Sequence, residues 1–178
     1  MDIDLSRLKR RWLWTTVLTF VVLAVLGGLD AQIKAASGYG ILDLEFTSTA
    51  AGVNAIMSAW SQAGMLAQIG FLMGFDYLYM PAYGFSLFYG ALAAREAFAN
   101  SASARRILTF LAFAPLAGAA LDVVENALEA RMLFHGATEP LAGVTYSVTM
   151  VKFALIAIGL ALALAGLAGL LTGRLKKT

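Results

Sequence analysis

The chain has 178 residues, no cysteine and a formal net charge of +2. Hydrophobic residues make up 60% of it and charged residues 13%, about half the roughly 25% charged share of soluble domains. These figures exclude a disordered chain, a disulfide scaffold, a zinc ribbon and a thiol enzyme. Charges this sparse cannot cover a soluble globule, and the class that remains is a polytopic membrane protein.

A helix needs about 20 mainly apolar residues to cross the hydrocarbon core. Four stretches meet that length: 12–29, 66–94, 107–134 and 142–172. The first carries no charge, and basic residues precede it as in a signal peptide. Its apolar run is longer than a signal h-region and no A-x-A site precedes Gln32, so it is expected to be retained as the first span. Arg7, Lys9, Arg10 and Arg11 precede span one. Arg95, Arg105 and Arg106 separate spans two and three, and Arg174, Lys176 and Lys177 follow span four. The remaining loops hold only Lys34 and Arg131. The positive-inside rule then puts both termini in the cytoplasm, with the protein multi-pass in the cell (inner) membrane. The basic residues serve topology, and no nucleic-acid partner is implied.

The long outer loop, 30–65, contains Ser37-Gly38-Tyr39-Gly40 and then Ile41-Leu42-Asp43-Leu44-Glu45-Phe46. Thr47, Ser48 and Thr49 are suitable N-caps for a helix starting near residue 50. Val53, Ile56, Met57 and Trp60 fall at i, i+3, i+4 and i+7, which predicts an amphipathic helix at the outer interface. The alternative is an early start to span two. The expected fold is all-α: a membrane four-helix bundle forming a single domain over residues 1–178, with that helix in its first loop. Small residues at Ala165, Gly169 and Gly173, and at Gly70 and Gly74, mark expected close-packing faces.

Ionisable residues within the spans carry the functional signal, because such groups are costly in lipid and face the bundle interior or a wet cavity. They are Asp76, Asp122, Glu125, Glu129 and Lys152, joined by Asn126. Depth is counted from the cytoplasmic basic flanks at about 1.5 Å per residue. Asp76 then lies about 28 Å from Arg95, Asp122 about 24 Å and Glu125 about 28 Å from Arg106, and Lys152 about 33 Å from Arg174. Three spans therefore bring charge to one depth, the outer third of the bilayer, below the loop that carries Asp43 and Glu45. Asp122, Glu125, Asn126 and Glu129 form one helical stripe, whose repulsion Lys152, a bound cation or protonation of one acid would relieve. Glu129 is expected to be interfacial and solvated. Pro81 frees the Tyr77 carbonyl one turn from Asp76, predicting a kink there, and Tyr83 lies two turns from Asp76. The other aromatics of span two read as belt and packing residues. His135 is assigned no role.

The segments Leu42-Asp43-Leu44-Glu45-Phe46, Asp76-Tyr77 with Pro81 and Tyr83, Asp122-Val123-Val124-Glu125-Asn126, and Thr149 with Lys152 resemble small uncharacterised four-span bacterial integral membrane proteins. The resemblance covers about residues 12–172 and implies no established activity.

Three functions compete. In the first, Asp76, Asp122, Glu125, Asn126, Lys152, Asp43 and Glu45 bind or pass a cation or cationic solute, and a homo-oligomer supplies the pathway. In the second, a membrane enzyme acts on a lipid or isoprenoid by acid–base chemistry, with Asp122, Glu125, Lys152 and Tyr83 as candidate catalytic residues. In the third, an accessory or assembly subunit docks another membrane protein, and Lys152 pairs with Asp122 or Glu125 in a structural network. There is no histidine–carboxylate pair within the spans, no G-x-S-x-G elbow and no Gly-rich phosphate loop, so no metal centre is assigned. A bound cation held by carboxylates is the one cofactor the residues suggest.

Overall fold

The computed structural model describes residues 4–175. Among them every regular element is helical: α1 (Leu5–Ser37), α2 (Ile41–Glu45), α3 (Ala50–Gln62), α4 (Leu66–Phe98), α5 (Ala102–Leu111), α6 (Ala114–His135) and α7 (Glu139–Leu171). Three segments are long and apolar enough to cross a membrane: Leu5–Ser37, Ala102–His135 and Glu139–Leu171. α4 equals α1 and α7 in length, 33 residues each. Its glycines, its tyrosines and Asp76 keep it outside that group.

The span expected over 107–134 is interrupted. Pro115 has no N–H and its ring collides with the carbonyl one turn earlier, so proline suits only the first turn of a helix. α5 accordingly stops at Leu111 and α6 restarts at Ala114. Phe113 N donates to Phe110 O at 3.1 Å across the gap. α4, by contrast, continues through Pro81.

α3 forms as the spacing predicts. The Thr49 hydroxyl accepts from Gly52 N at 3.2 Å, capping the first turn. Val53, Ile56, Met57 and Trp60 are all buried. Gly64, at φ 70°, supplies the left-handed turn that separates α3 from α4. α2 is a helix that the residue pattern does not announce. Asp30 Oδ1 accepts from Ile41 N at 2.6 Å, and Asp43 Oδ2 accepts from Gly40 N at 2.7 Å and from Lys34 Nζ at 3.0 Å.

The chain clusters into two compact units, whose boundaries fall inside α1, α4, α6 and α7. The first comprises Met1–Phe20, Met80–Ala120 and Lys152–Thr178. Small residues make the close approaches of α7 in this unit. A Cβ on Gly159 would lie 2.7 Å from Pro115 Cβ, one on Gly90 would lie 2.6 Å from Ala163 Cβ, and one on Gly166 would strike the Gly90 carbonyl oxygen. The small-residue face of α7 is thus Gly159, Ala163, Gly166 and Gly169, all buried. The expected register through Ala165 and Gly173 is corrected: Gly173 has φ 70° and ends the helix, with Arg174 N donating to Gly169 O at 3.0 Å. Gly70 and Gly74 have nothing within 4 Å of where a Cβ would stand, so that pair makes no packing contact. In the same unit as Gly166, Arg95 and Arg105 both donate to Glu96, and Thr16 and Ser86 share a 2.7 Å hydrogen bond.

The second unit comprises Val21–Tyr79 and Leu121–Val151. Its apolar cluster joins Val22, Leu26 and Ile33 of α1 to the buried face of α3, Ile69, Leu72 and Met73 of α4, Met132 of α6 and Ala142 of α7. Two side chains anchor α3 to the turn before α7. Asn54 exchanges hydrogen bonds with the backbone of Ala137, and Glu139 Oε1 accepts from Ala50 N at 3.2 Å.

Polarity is inverted relative to a soluble protein. Leu13, Phe20, Val123, Val124, Val151 and Leu164 are exposed, whereas Asp122, Glu125, Asn126, Glu129 and Lys152 are buried. No more than 28% of the most apolar stretch of any of the three long segments is buried. Soluble monomers rarely expose contiguous apolar patches above a few hundred Å². This surface is built for lipid.

Asp43 gives a pH prediction outside the spans. The Gly40 N–H, then Lys34, hold its carboxyl below the ordinary carboxylate range. A lowered folded pKa stabilises above the unfolded pKa, and that contribution disappears as pH falls through the folded value. Stability is therefore expected to decline on acidification below the ordinary range. Thermal melts of Asp43→Asn should show a shallower acid dependence than the parent.

Candidate functional site

The site is built on α6. From the Pro115 restart, a helical repeat places Gly118, Ala119, Asp122, Glu125, Asn126, Glu129 and Met132 on one face, and all seven are buried. The opposite face, with Ala120, Val123, Val124 and Ala127, is exposed. The helix therefore turns its acids inward and its valines outward. Glu129, expected to be solvated, is 3% exposed. Its place in the register of Glu125 and Met132 explains the correction.

Two neighbouring helices in the second unit meet this stripe. Asn126 Nδ2 uses both its hydrogens on α4, donating to Met73 O at 3.0 Å and to Asp76 Oδ2 at 3.2 Å. Thr149 of α7 is fully buried, and its hydroxyl donates to Glu125 Oε1 at 2.5 Å. Thr145, one turn before it, is buried on the same face of α7. Asp76, Glu125, Asn126 and Thr149 are thus gathered in one unit, with Asp122 and Glu129 one turn to either side of Glu125.

The remaining expected site residues are on α2, α4 and α7. Lys152 is buried in the first unit, one turn beyond Thr149 on α7, its Nζ 4.7 Å from the centroid of the Phe153 ring. Tyr83 is buried in the first unit as well. Asp43 and Glu45 are half-buried on α2, where Asp43 serves as that helix's cap. His135 is exposed at the end of α6. Most span-two aromatics follow the packing reading: Phe71 stacks on Phe75 with centroids 5.6 Å apart, and Phe88 meets Phe113 at 5.2 Å.

Thr145 and the anchoring residues Asp30 and Glu139 add to the expected set. Thr145 has a sequence signal, since it precedes Thr149 by one turn. Asp30 and Glu139 act on backbone N–H groups distant in sequence, which no local pattern reveals.

Among the described residues no three histidine or acidic side chains converge as metal ligands. The donors present are carboxylate, hydroxyl and amide groups that suit a weakly held cation. The surroundings reinforce this sign. The second unit's sequence holds eight acidic and two basic residues, a net −6, and the first unit's holds three acidic and eleven basic, a net +8.

No protein-family model, curated protein or solved structure matches this chain.

Proposed function

We propose that the chain is a four-span protein of the cell (inner) membrane with both termini cytoplasmic, and that its outer-third polar site binds or passes a cation or cationic solute. The observation that carries the reading is the buried stripe Asp122, Glu125, Asn126 and Glu129, cross-bonded to Asp76 and Thr149 within a unit of net charge −6. α4 serves as the fourth span, its one outer-half acid bonded by Asn126. The basic flanks favour the orientation. Of the four short motifs that resemble four-span bacterial proteins, one falls on this stripe and one on α4, and the others fall at α2 and on α7. With no three-carboxylate cage among the described residues, a monovalent or organic cation fits better than a divalent metal, which takes six or more oxygens as calcium or near-ideal octahedral geometry as magnesium.

Titration of purified protein with tetramethylammonium and with sodium tests this. Asp122→Asn and Glu125→Gln are each expected to weaken binding about tenfold or more while the protein stays folded. Parental affinity in both variants would end the reading.

A second reading is favoured by one observation: the bonds Asn126 makes to Met73 and Asp76, and Thr149 to Glu125, each join two helices. In that case the polar groups hold together an accessory subunit. Such variants would then lose stability and show no cation response in either form.

A further inference from the structure

The basic residues of the first unit are not equivalent. Arg95 and Arg105 are tied to Glu96, Lys9 Nζ donates to Leu175 O at 3.0 Å, and Lys152 is buried. Arg174 lies over the Phe98 ring. Arg7, Arg10 and Arg11 are exposed on α1. The side chains of Arg10 and Arg11 make no hydrogen bond or ion pair among the described residues, and the Arg7 guanidinium meets only the exposed Asp4, at 3.0 Å.

These three arginines and Trp14 stand at i, i+3, i+4 and i+7, one face of α1, and Trp14 is 66% exposed. On the opposite side Leu8 is buried and Trp12 half-buried, so the face is turned away from the protein by packing. Where Trp14 meets the apolar run that starts the first span, its indole has the position of an interfacial anchor. The guanidiniums one and two turns further out then stand at headgroup level, where each presents a planar fork that matches phosphate oxygens.

We infer that the Arg7–Arg10–Arg11–Trp14 face of α1 is a docking site for anionic phospholipid headgroups. Charge complementarity selects the occupant: three arginines are offset by one exposed aspartate, in a unit of net charge +8. The inference rests on the membrane reading and is independent of the outer cation site.

The test uses the Trp12→Phe protein in liposomes. Trp14 is then the lipid-facing indole, since Trp60 is fully buried. Quenching by brominated phosphatidylglycerol is compared with quenching by brominated phosphatidylcholine at equal mole fraction. A preference for the anionic lipid of at least about fivefold is expected, the effect of about 1 kcal/mol per interfacial charge. It should weaken with salt. It should vanish in the triple Arg7→Gln, Arg10→Gln, Arg11→Gln variant and persist in the triple lysine variant, which keeps the charge. Equal quenching in the parent, a preference surviving the glutamines, or its loss with lysines would each overturn the proposal. Quenching by neither lipid would overturn the membrane reading itself.

Discussion

Replacing Gly166 by leucine is expected to destabilise the protein by about 3 kcal/mol or more, the upper range for overpacking. A Cβ there strikes the Gly90 carbonyl oxygen and stands 3.0 Å from Ala94 N. Both are backbone atoms of α4, so no rotamer change relieves the collision and the helices must separate. Between membrane helices, close backbone approach supplies much of the association energy, because lipid tails provide no hydrophobic drive. Gly143→Leu and Gly70→Leu are the controls. Nothing lies within 4 Å of either position, and both should stay within about 0.5 kcal/mol of the parent. An SDS titration followed by circular dichroism ranks the three. Equal losses in all would show that general glycine intolerance, rather than the α4–α7 contact, is being measured.

Asn126→Leu is expected to cost about 2 kcal/mol, within the range for leaving buried hydrogen-bonding groups without their partner. The amide donates to both a main-chain carbonyl and the Asp76 carboxylate. Leucine matches its size and supplies neither hydrogen. Asn126→Asp keeps the shape but adds a fourth carboxyl group to the face of Asp122, Glu125 and Glu129, and should be worse than leucine. The same titration checks both. An aspartate variant as stable as the parent would show that the stripe tolerates further negative charge.

The placement of these residues is partly legible in the sequence. The stripe on α6 is readable because helical periodicity alone puts residues 122, 125, 126 and 129 on one face, and lipid forbids turning that face outward. α3 is readable for a similar reason, with a capping threonine before an i, i+3, i+4, i+7 apolar face. The register of small residues on α7 is not. Its C-terminal segment is almost entirely alanine, leucine and glycine, so several stripes are equally small. Only the partner helix, with Gly90 and Ala94, selects Gly166. The break before Pro115 is hidden because Pro81 offers the same chemical reason for a kink. Proline at the first turn of a helix is tolerated, and the chain exploits that at Pro115. The burial of Glu129 is hidden by its nearness to the span end. The apolar cluster completed by α3 includes Met132, one turn further out, and so extends the interior beyond the depth that span length suggests.

Glu125 and Thr149 are closed to solvent at 1% and 0% exposure. Under the proposed function, binding therefore requires a local opening, and the absence of native cysteine makes this measurable without background. The decisive measurement is the reaction of Thr149→Cys with thiosulfonate reagents applied from the outer side of oriented vesicles, with Ser48→Cys as the accessible reference. A cation-binding outer site predicts that Thr149→Cys reacts, and about tenfold or more faster with a cationic reagent than with an anionic one of similar size. No reaction while Ser48→Cys labels fully, or equal rates with both reagents, would contradict it.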